Sequence, residues 1–582
     1  MNIINLLLQY SIEAIKKLYD IDIDKKHILI EKSNKIIEGD YSITLFKVKQ
    51  ICKFKNFDFI DFIGSYIKQK YDIIDKFYSI KGFLNIHLKN TFLKKYFLLS
   101  LYNDKYGYKN KKEGTIMIEY LSPNTNKPLH LGHLRNAFIG DAMANIISAN
   151  GYKVLKVNLI NDRGIHICKS MLAWIKFGNK LTPKDVNMKE DHFVGKYYVL
   201  YEENYKKQLN SAIDKNSISI ENELKEMLIK WEKKDKYVHY VWNLMNSWVY
   251  KGFKETYSKI GINFDIEYFE SKLYEQGKDI ILNALEKKIV FSKNDQSIWI
   301  DLTKYHLNEK LLLRSDGTSL YITQDIGLAY IKSKYNLLNS IYVVGNEQDH
   351  YFKILKNILK EFKIKNNIYH LSYGMVYLPD GKMKSREGNV IDADYIIDLI
   401  IKKVHEYVFI NKKSDINDDT CFKIGIGSIK YYLLHIDPKK NIIFKINSSI
   451  DLYGNTSVFI QYTYARIMSI LSNVSKLGFS AYNINSFNLN QISINSIEKN
   501  IIIQILEFQF IIEQSFTKYS PAILCNYLCD ISRKYNHFYS MYTILDTKNK
   551  NISNFRISLS FAVSKNILNG MSILGIEMPN KM

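Results

Sequence analysis

His130 and His133 flank Gly132 at the head of a helical pattern, and that spacing suits phosphate chemistry. An imidazole can donate a hydrogen bond through a ring nitrogen. Two of them one turn apart can follow negative charge as it gathers on phosphate oxygens. Gly132 carries no Cβ, so a flat ligand ring can approach the backbone there. A helix N-terminus adds free N–H groups and a partial positive charge, which favour the same anion. The chain has no GxxxxGK[ST] loop, which excludes a Walker-type phosphate cradle.

Positioning these residues takes a strand before them and a helix after. TIMIEYLS (Thr115–Ser122) is apolar and β-branched and reads as a buried strand. Leu134, Ala137, Phe138, Met143, Ile146 and Ile147 recur at helical spacing as far as Asn150-Gly151, where a helix end is expected. YKVLKVNLI (Tyr152–Ile160) reads as the next strand. Strand, turn, helix and strand so close together make a βαβ unit on a parallel sheet.

SPNTNKPLHLGHLRN (Ser122–Asn136) resembles the HIGH signature of class I aminoacyl-tRNA synthetases, in the form that arginyl-tRNA synthetases use. The resemblance extends over nearly the whole chain. It implies an arginine–tRNA ligase: L-arginine and ATP form arginyl-adenylate and pyrophosphate, then arginine moves to the 3′-terminal adenosine of tRNA(Arg). Neither step needs a protein nucleophile, because positioning and charge stabilisation carry both. His130 and His133 would bind the phosphates in the transition state, and Gly132 would make room for the adenosine. Mg2+ is expected with ATP, and no structural metal is expected.

The second signature of the class, usually KMSKS, is matched by Lys382-Met383-Lys384-Ser385-Arg386. Ser385 stands where the second lysine is usual. Many arginyl-tRNA synthetases share this departure and are thought to compensate with a lysine just before the HIGH turn, here Lys127. The sequence leaves open which of Lys127, Lys382, Lys384 and Arg386 faces the β- and γ-phosphates.

A guanidinium is planar and permanently charged, so a selective pocket should offer a carboxylate that accepts two parallel N–H bonds. The resemblance gives this role to Asp325 in YITQD, with Glu119, before the HIGH turn, as second candidate. Tyr321, four residues ahead of Asp325 and on the same helical face, matches the tyrosine that walls the pocket. Asn124 matches the asparagine at the α-amino end of the substrate, and Gln348 the glutamine near it. Tyr462 in IQYTYAR and Tyr539 in NHFYSMY match tyrosines that stack on anticodon bases, and Met582 the terminal methionine near them. The whole reading requires Asp325 and His133 to share one cleft.

The resemblance and the patterning together imply an α/β Rossmann-type catalytic core with a helical insertion, an α+β N-terminal domain and an all-α C-terminal anticodon-binding domain. Residues 1–108 form the N-terminal unit, in which EGDYSI (Glu38–Ile43) and GFLNI (Gly82–Ile86) resemble motifs of a domain that contacts the tRNA elbow. Residues 109–392 alternate strands and helices, with a charged helical insertion at about 193–258. SIWIDLT and LLLRSDGTS resume the core in its second half. No large β-rich stretch is present, so a separate editing domain is not expected. Charged hydrogen bonds to a guanidinium reject mimics without one. A helical connection covers 393–449 and the anticodon-binding domain 450–582.

At 582 residues the chain is too long for one core, and three or four domains are expected. Lys+Arg 81 against Asp+Glu 59 gives +22, which permits a polyanionic partner without identifying one. Cys52, Cys168, Cys421, Cys525 and Cys529 are scattered with no CxxC, which fits a reducing compartment and neither a disulfide framework nor structural zinc. The start, MNIINLLLQYSIEAIKKLYD, reads as an amphipathic helix and not a signal peptide. No apolar run reaches membrane-spanning length. The expectation is a cytoplasmic monomer with no membrane partner. A small-molecule nucleotidylyltransferase shares the HxGH turn but needs no helical C-terminal third. A tRNA-binding protein without catalysis would be expected to lose His130, His133 or the loop cations.

Overall fold

The structure is a computed structural model and describes every residue except 1–2, 34–38, 212–218, 379–380, 383–390, 411–416, 447–450, 452–453, 475–491 and 547. Its centre is a five-stranded parallel sheet: β1 (Thr115–Glu119), β2 (Lys153–Ile160), β3 (Ile266–Phe269), β4 (Leu337–Gly345) and β5 (Ile368–Tyr373). The spatial order is β5-β4-β1-β2-β3, with every neighbouring pair parallel. Parallel strands need crossovers, and the helices that supply them cover both faces. The chain direction across the sheet reverses between β1 and β4, and ligands of such folds bind at the carboxyl ends of the strands beside that point.

Helix α1 (Leu131–Ala149) crosses from β1 to β2 and is buried on nearly every face. An all-round apolar helix belongs in a core. One side packs on the sheet, where Gly140 lies flush on the Tyr120 ring, and another meets helices Asp418–Leu434 and Ser496–Thr517 of the C-terminal region. Four helices, Ile165–Phe177, Glu190–Ser211, Ser219–Glu232 and Lys236–Lys259, stand between β2 and β3. Between β3 and β4 come α2 (Glu270–Glu286) and α3 (Tyr321–Ser333); α4 (Asp349–Glu361) joins β4 to β5. Glycines let α2 and α3 cross closely, since a Cβ on Gly277 would strike the Thr323 carbonyl.

SIWIDLT and LLLRS do not extend the parallel sheet. Ile298–Ile300 and Lys310–Leu313 pair antiparallel with each other, and Phe291–Ser292 pairs with the first of them. The connection between them is too short for a parallel crossover, so adjacent runs fold back as antiparallel neighbours. With α2, α3 and α4 they bury a second core of Ile281, Ile300, Leu312, Ile326 and Leu355.

The N-terminal unit is an antiparallel sheet ordered Leu29–Lys32, Tyr41–Thr44, Phe83–Leu88, Ile74–Ile80. Its hairpin turns at Lys81-Gly82, both at positive φ, as a tight two-residue turn demands. The Glu38–Ile43 motif faces inward in part: Asp40 pairs with Lys499 at 2.7 Å and the Tyr41 hydroxyl donates to Glu507 at 2.6 Å. Both partners lie on helix Ser496–Thr517, so these motif residues dock the unit onto the C-terminal helices. That region continues with Pro521–Met541 and Lys550–Ile573. No helix among the described residues is long and apolar enough to cross a membrane.

Candidate active site

His130 is the N-cap of α1, and its backbone N–H donates to His133 Nδ1 at 3.1 Å. Accepting on Nδ1 leaves the neutral His133 ring with its proton on Nε2, a donor. The two rings stack with centroids 3.7 Å apart. Burial lowers His130 to about 3, helped by the Lys127 charge, and burial, then His130 and Lys127, hold His133 well below the usual imidazole range. Both are neutral hydrogen-bonding groups at pH 7. His130 Nδ1 is buried with no protein partner among the described residues. A Cβ on Gly132 would lie 3.1 Å from the His130 ring, so the bare glycine borders that ring directly.

The approach to this turn is clamped. Thr125 N–H donates to the Asn161 carbonyl and Asn161 N–H to that of Pro123, which bridges Asn124 to the end of β2. Leu131 N–H donates to Ile391 O at 3.1 Å and Ala393 N–H to Leu129 O at 3.0 Å, so the chain beyond the lysine-bearing loop runs beside the histidines. Arg135, fully buried on α1, donates to the carbonyls of Gly374, Met375, Pro438 and Lys440, which lie around strand Val376–Leu378. Met383, Lys384, Ser385 and Arg386 lie outside the described residues, and only the backbone of Lys382 is described, in strand Gly381–Lys382. A cavity of about 560 Å3 next to the turn is lined by His192, Asp392, Asp394 and Asp398. Asp191, His192 and Asp394 have metal-ligand spacing, but Lys189 Nζ fills the group at 2.6 Å from Asp394.

At the carboxyl edge of the same sheet, carboxylates gather. Glu119 ends β1 and pairs with Lys332 of α3 at 2.6 Å. Asp325, seven residues earlier on α3, accepts from the Tyr351 hydroxyl at the start of α4. Burial raises Asp325 to about 7, opposed by Tyr351 and reinforced by the Glu119 charge. Burial also raises Glu270, at the head of α2, to about 7; Arg163 opposes this, while Asp162 and Asp325 reinforce it. Tyr321 opens α3, is 71% exposed as a residue, and feels the Glu270 charge. Gln348 is exposed in the turn after β4. The structure therefore brings Glu119 and Asp325 near enough for the charge of one to act on the other, and Glu119 ends the strand that leads into the His130–His133 turn.

Four residues of this region were not singled out in the sequence: Glu270, Lys332, Tyr351 and Arg163. The Arg163 guanidinium is sandwiched 5.0 Å from the Trp231 ring and 4.0 Å from that of Tyr274, and binds Glu232 at 2.5 Å. An acid at a helix start, like Glu270, reads as ordinary complement to the helix dipole. Lys332 and Tyr351 lie within amphipathic helical patterns that give them no distinguishing mark.

In the C-terminal helices, Arg466 lies 4.8 Å from the Tyr462 ring and 5.0 Å from that of Tyr539, gathering the two tyrosines. Asn536 holds Arg466 at 2.7 Å. Met582 packs on Val404, Cys421, Ile424 and Val458, one helical turn ahead of Tyr462.

Residues 98–446 match the family described as tRNA synthetases class I (R), catalytic domain, and residues 460–582 the DALR anticodon binding domain. The fold is thus that of a class I tRNA synthetase. Curated arginine–tRNA ligases from Bacteroides thetaiotaomicron and Amoebophilus asiaticus are 41% and 39% identical to this chain over the full length of both partners. The chain belongs to the arginine–tRNA ligase family, a family of enzymes. The fold is also that of Thermus thermophilus arginyl-tRNA synthetase (TM-score 0.81, 20% identity, 100% of both chains) and of the Plasmodium falciparum enzyme (TM-score 0.80, 19% identity, 100% and 99%).

Proposed function

We propose that the chain joins L-arginine to tRNA(Arg) in two steps. In the first, an arginine carboxylate oxygen attacks the α-phosphorus of ATP, forming arginyl-adenylate as pyrophosphate leaves. In the second, a hydroxyl of the 3′-terminal adenosine attacks the arginyl carbonyl carbon, and AMP leaves as the hydroxyl proton is lost. Both transition states gather negative charge on oxygen, which donors fixed in advance stabilise best. His133, with its proton on Nε2, and His130 would supply such donors at the mouth of α1, with Lys127 as the nearby cation. Lys382, Lys384 and Arg386 would meet the pyrophosphate. Mg2+ would be held by the phosphates of the nucleotide, because Lys189 already fills the His/Asp group described above.

The observation that carries this reading is the gathering of Asp325, Glu119 and Glu270 close enough to feel one another's charge, with Glu119 closing the strand that leads into the two imidazoles. A buried carboxylate group that ionises only at some cost is suited to a permanently charged guanidinium. Asn124 and Gln348 would hold the α-amino end, and Tyr321 would wall the pocket. Tyr462, Tyr539 and Met582 would meet anticodon bases. Charging of a tRNA(Arg) transcript with labelled arginine tests the proposal. Equal charging with lysine or glutamine, or none with arginine, would defeat it.

A further inference from the structure

We propose that Lys332 is a positioning and specificity residue of the arginine pocket: it holds one oxygen of Glu119 on a resident ammonium, so that the pocket admits a forked cation and refuses a second ammonium. The inference rests on the reading of Asp325 and Glu119 as partners of the guanidinium.

The Lys332 side chain is 1% exposed and that of Glu119 8%. The ammonium also lies 4.0 Å from the Tyr342 ring. A buried ion pair seldom stabilises a fold better than apolar side chains of the same volume, because desolvation offsets the attraction. A stability role therefore accounts poorly for this pair, and its place accounts for it better. Glu119 closes β1 at the strand edge where the substrate must bind, and Lys332 lies two turns beyond Asp325 on α3.

Each acid has one oxygen taken. Lys332 Nζ binds Glu119 Oε2, and the Tyr351 hydroxyl binds Asp325 Oδ2. Among the described residues no hydrogen bond reaches Glu119 Oε1 or Asp325 Oδ1. Two acceptors on two separate carboxylates remain, each oriented through its partner oxygen. A guanidinium carries its N–H groups on separate nitrogens in one plane and can meet both. An ammonium is compact and strongly hydrated; it would satisfy one acceptor, leave the other bare and sit near the like charge of Lys332. The other titratable groups facing this pair are Tyr342 of β4, Tyr351 of α4, Tyr268 of β3 and Glu270 of α2, with Asp162 and Arg163 behind Glu270.

The test is tRNA(Arg) charging by full-length wild type, Lys332→Met and Lys332→Arg from pH 6 to 8.5, with lysine as competing substrate. Lys332→Met should raise the arginine KM at least about tenfold, lower the arginine-over-lysine ratio of kcat/KM about tenfold, and move the acid limb of the KM profile upward by about one pH unit. Lys332→Arg keeps the charge but its fork can cover both Glu119 oxygens. It should raise the arginine KM about tenfold and leave the acid limb in place. A purely structural lysine would lower Tm and kcat and move neither the limb nor the lysine ratio, and that result overturns the proposal. Should Lys332→Met fail to fold, an unchanged KM and ratio in Lys332→Arg overturns it alone. A wild type that does not charge tRNA(Arg) with arginine overturns the underlying reading instead.

Discussion

Gly277 of α2 and Gly327 of α3 meet backbone to backbone, and a Cβ on Gly327 would lie 2.8 Å from the Gly277 nitrogen. This crossing sets Glu270, two turns before Gly277, against Asp325, two residues before Gly327. Gly277→Ala must push the helices apart. It should cost about 1–3 kcal/mol of stability, the usual range for overpacking. It should also raise the arginine KM while leaving the KM for ATP nearly unchanged. Chemical denaturation and steady-state charging check both.

Asp325 and Glu270 both ionise near pH 7 in the empty pocket. Their pKa values are raised above unfolded values near 4, so the folded state holds extra protons between about pH 4 and 7. Ionised, they weaken the fold above pH 7; protonated, they bind a guanidinium poorly. The arginine KM should therefore rise as pH falls from 8 to 6, and arginine binding should release protons, seen as buffer-dependent calorimetric heats. Arginine should raise Tm more at pH 8 than at pH 6. Asp325→Asn should raise the arginine KM about 100-fold and, by removing a buried charge, raise the Tm of the empty protein at pH 8.

Lys127 acts on both imidazoles through its charge. Lys127→Ala should slow adenylate formation about 10- to 100-fold, the scale of one electrostatic donor to a developing oxyanion. The affinity for tRNA should change less than twofold. Rapid-quench kinetics and filter binding separate the two effects. Equal losses would make Lys127 a general surface cation.

Arg466 joins Tyr462 to Tyr539. Arg466→Ala should let the rings part and raise the KM for tRNA(Arg) about tenfold, since base stacking on an aromatic is worth about 1–3 kcal/mol. The arginine KM should hold. Charging with an anticodon-altered tRNA should show a smaller effect of the same variant.

The strand–turn–helix around His130 was legible because two local signals coincide there: a continuous apolar, β-branched run, as a strand buried on both faces requires, and a helix that starts at a histidine-glycine turn. Asp325 and Tyr321 were reached through the resemblance, which matches YITQD to a pocket segment; their one-turn spacing alone assigns neither a role. Glu270, Lys332 and Arg163 were not, because each acquires its role from elements far away in the chain. SIWIDLT and LLLRSDGTS were read as resuming the core with no strand direction assigned, since a run such as SIWIDL shows alternation but not the direction of its neighbour. EGDYSI was read by resemblance as part of a tRNA-contacting domain; that Asp40 and Tyr41 also bind inward was not legible, because their partners lie on a helix more than four hundred residues later.

That last contact bears on the order in which the protein can be finished. Asp40 and Tyr41 leave the ribosome early, whereas Lys499 and Glu507 leave it near the end. Lys565 then reaches back to the Leu101 carbonyl at 3.0 Å. Domains tend to fold as they emerge, but here the docking of the first waits for the last: on a ribosome stalled before residue 499, both the N-terminal unit and the α1 face that meets helix Ser496–Thr517 lack their partner.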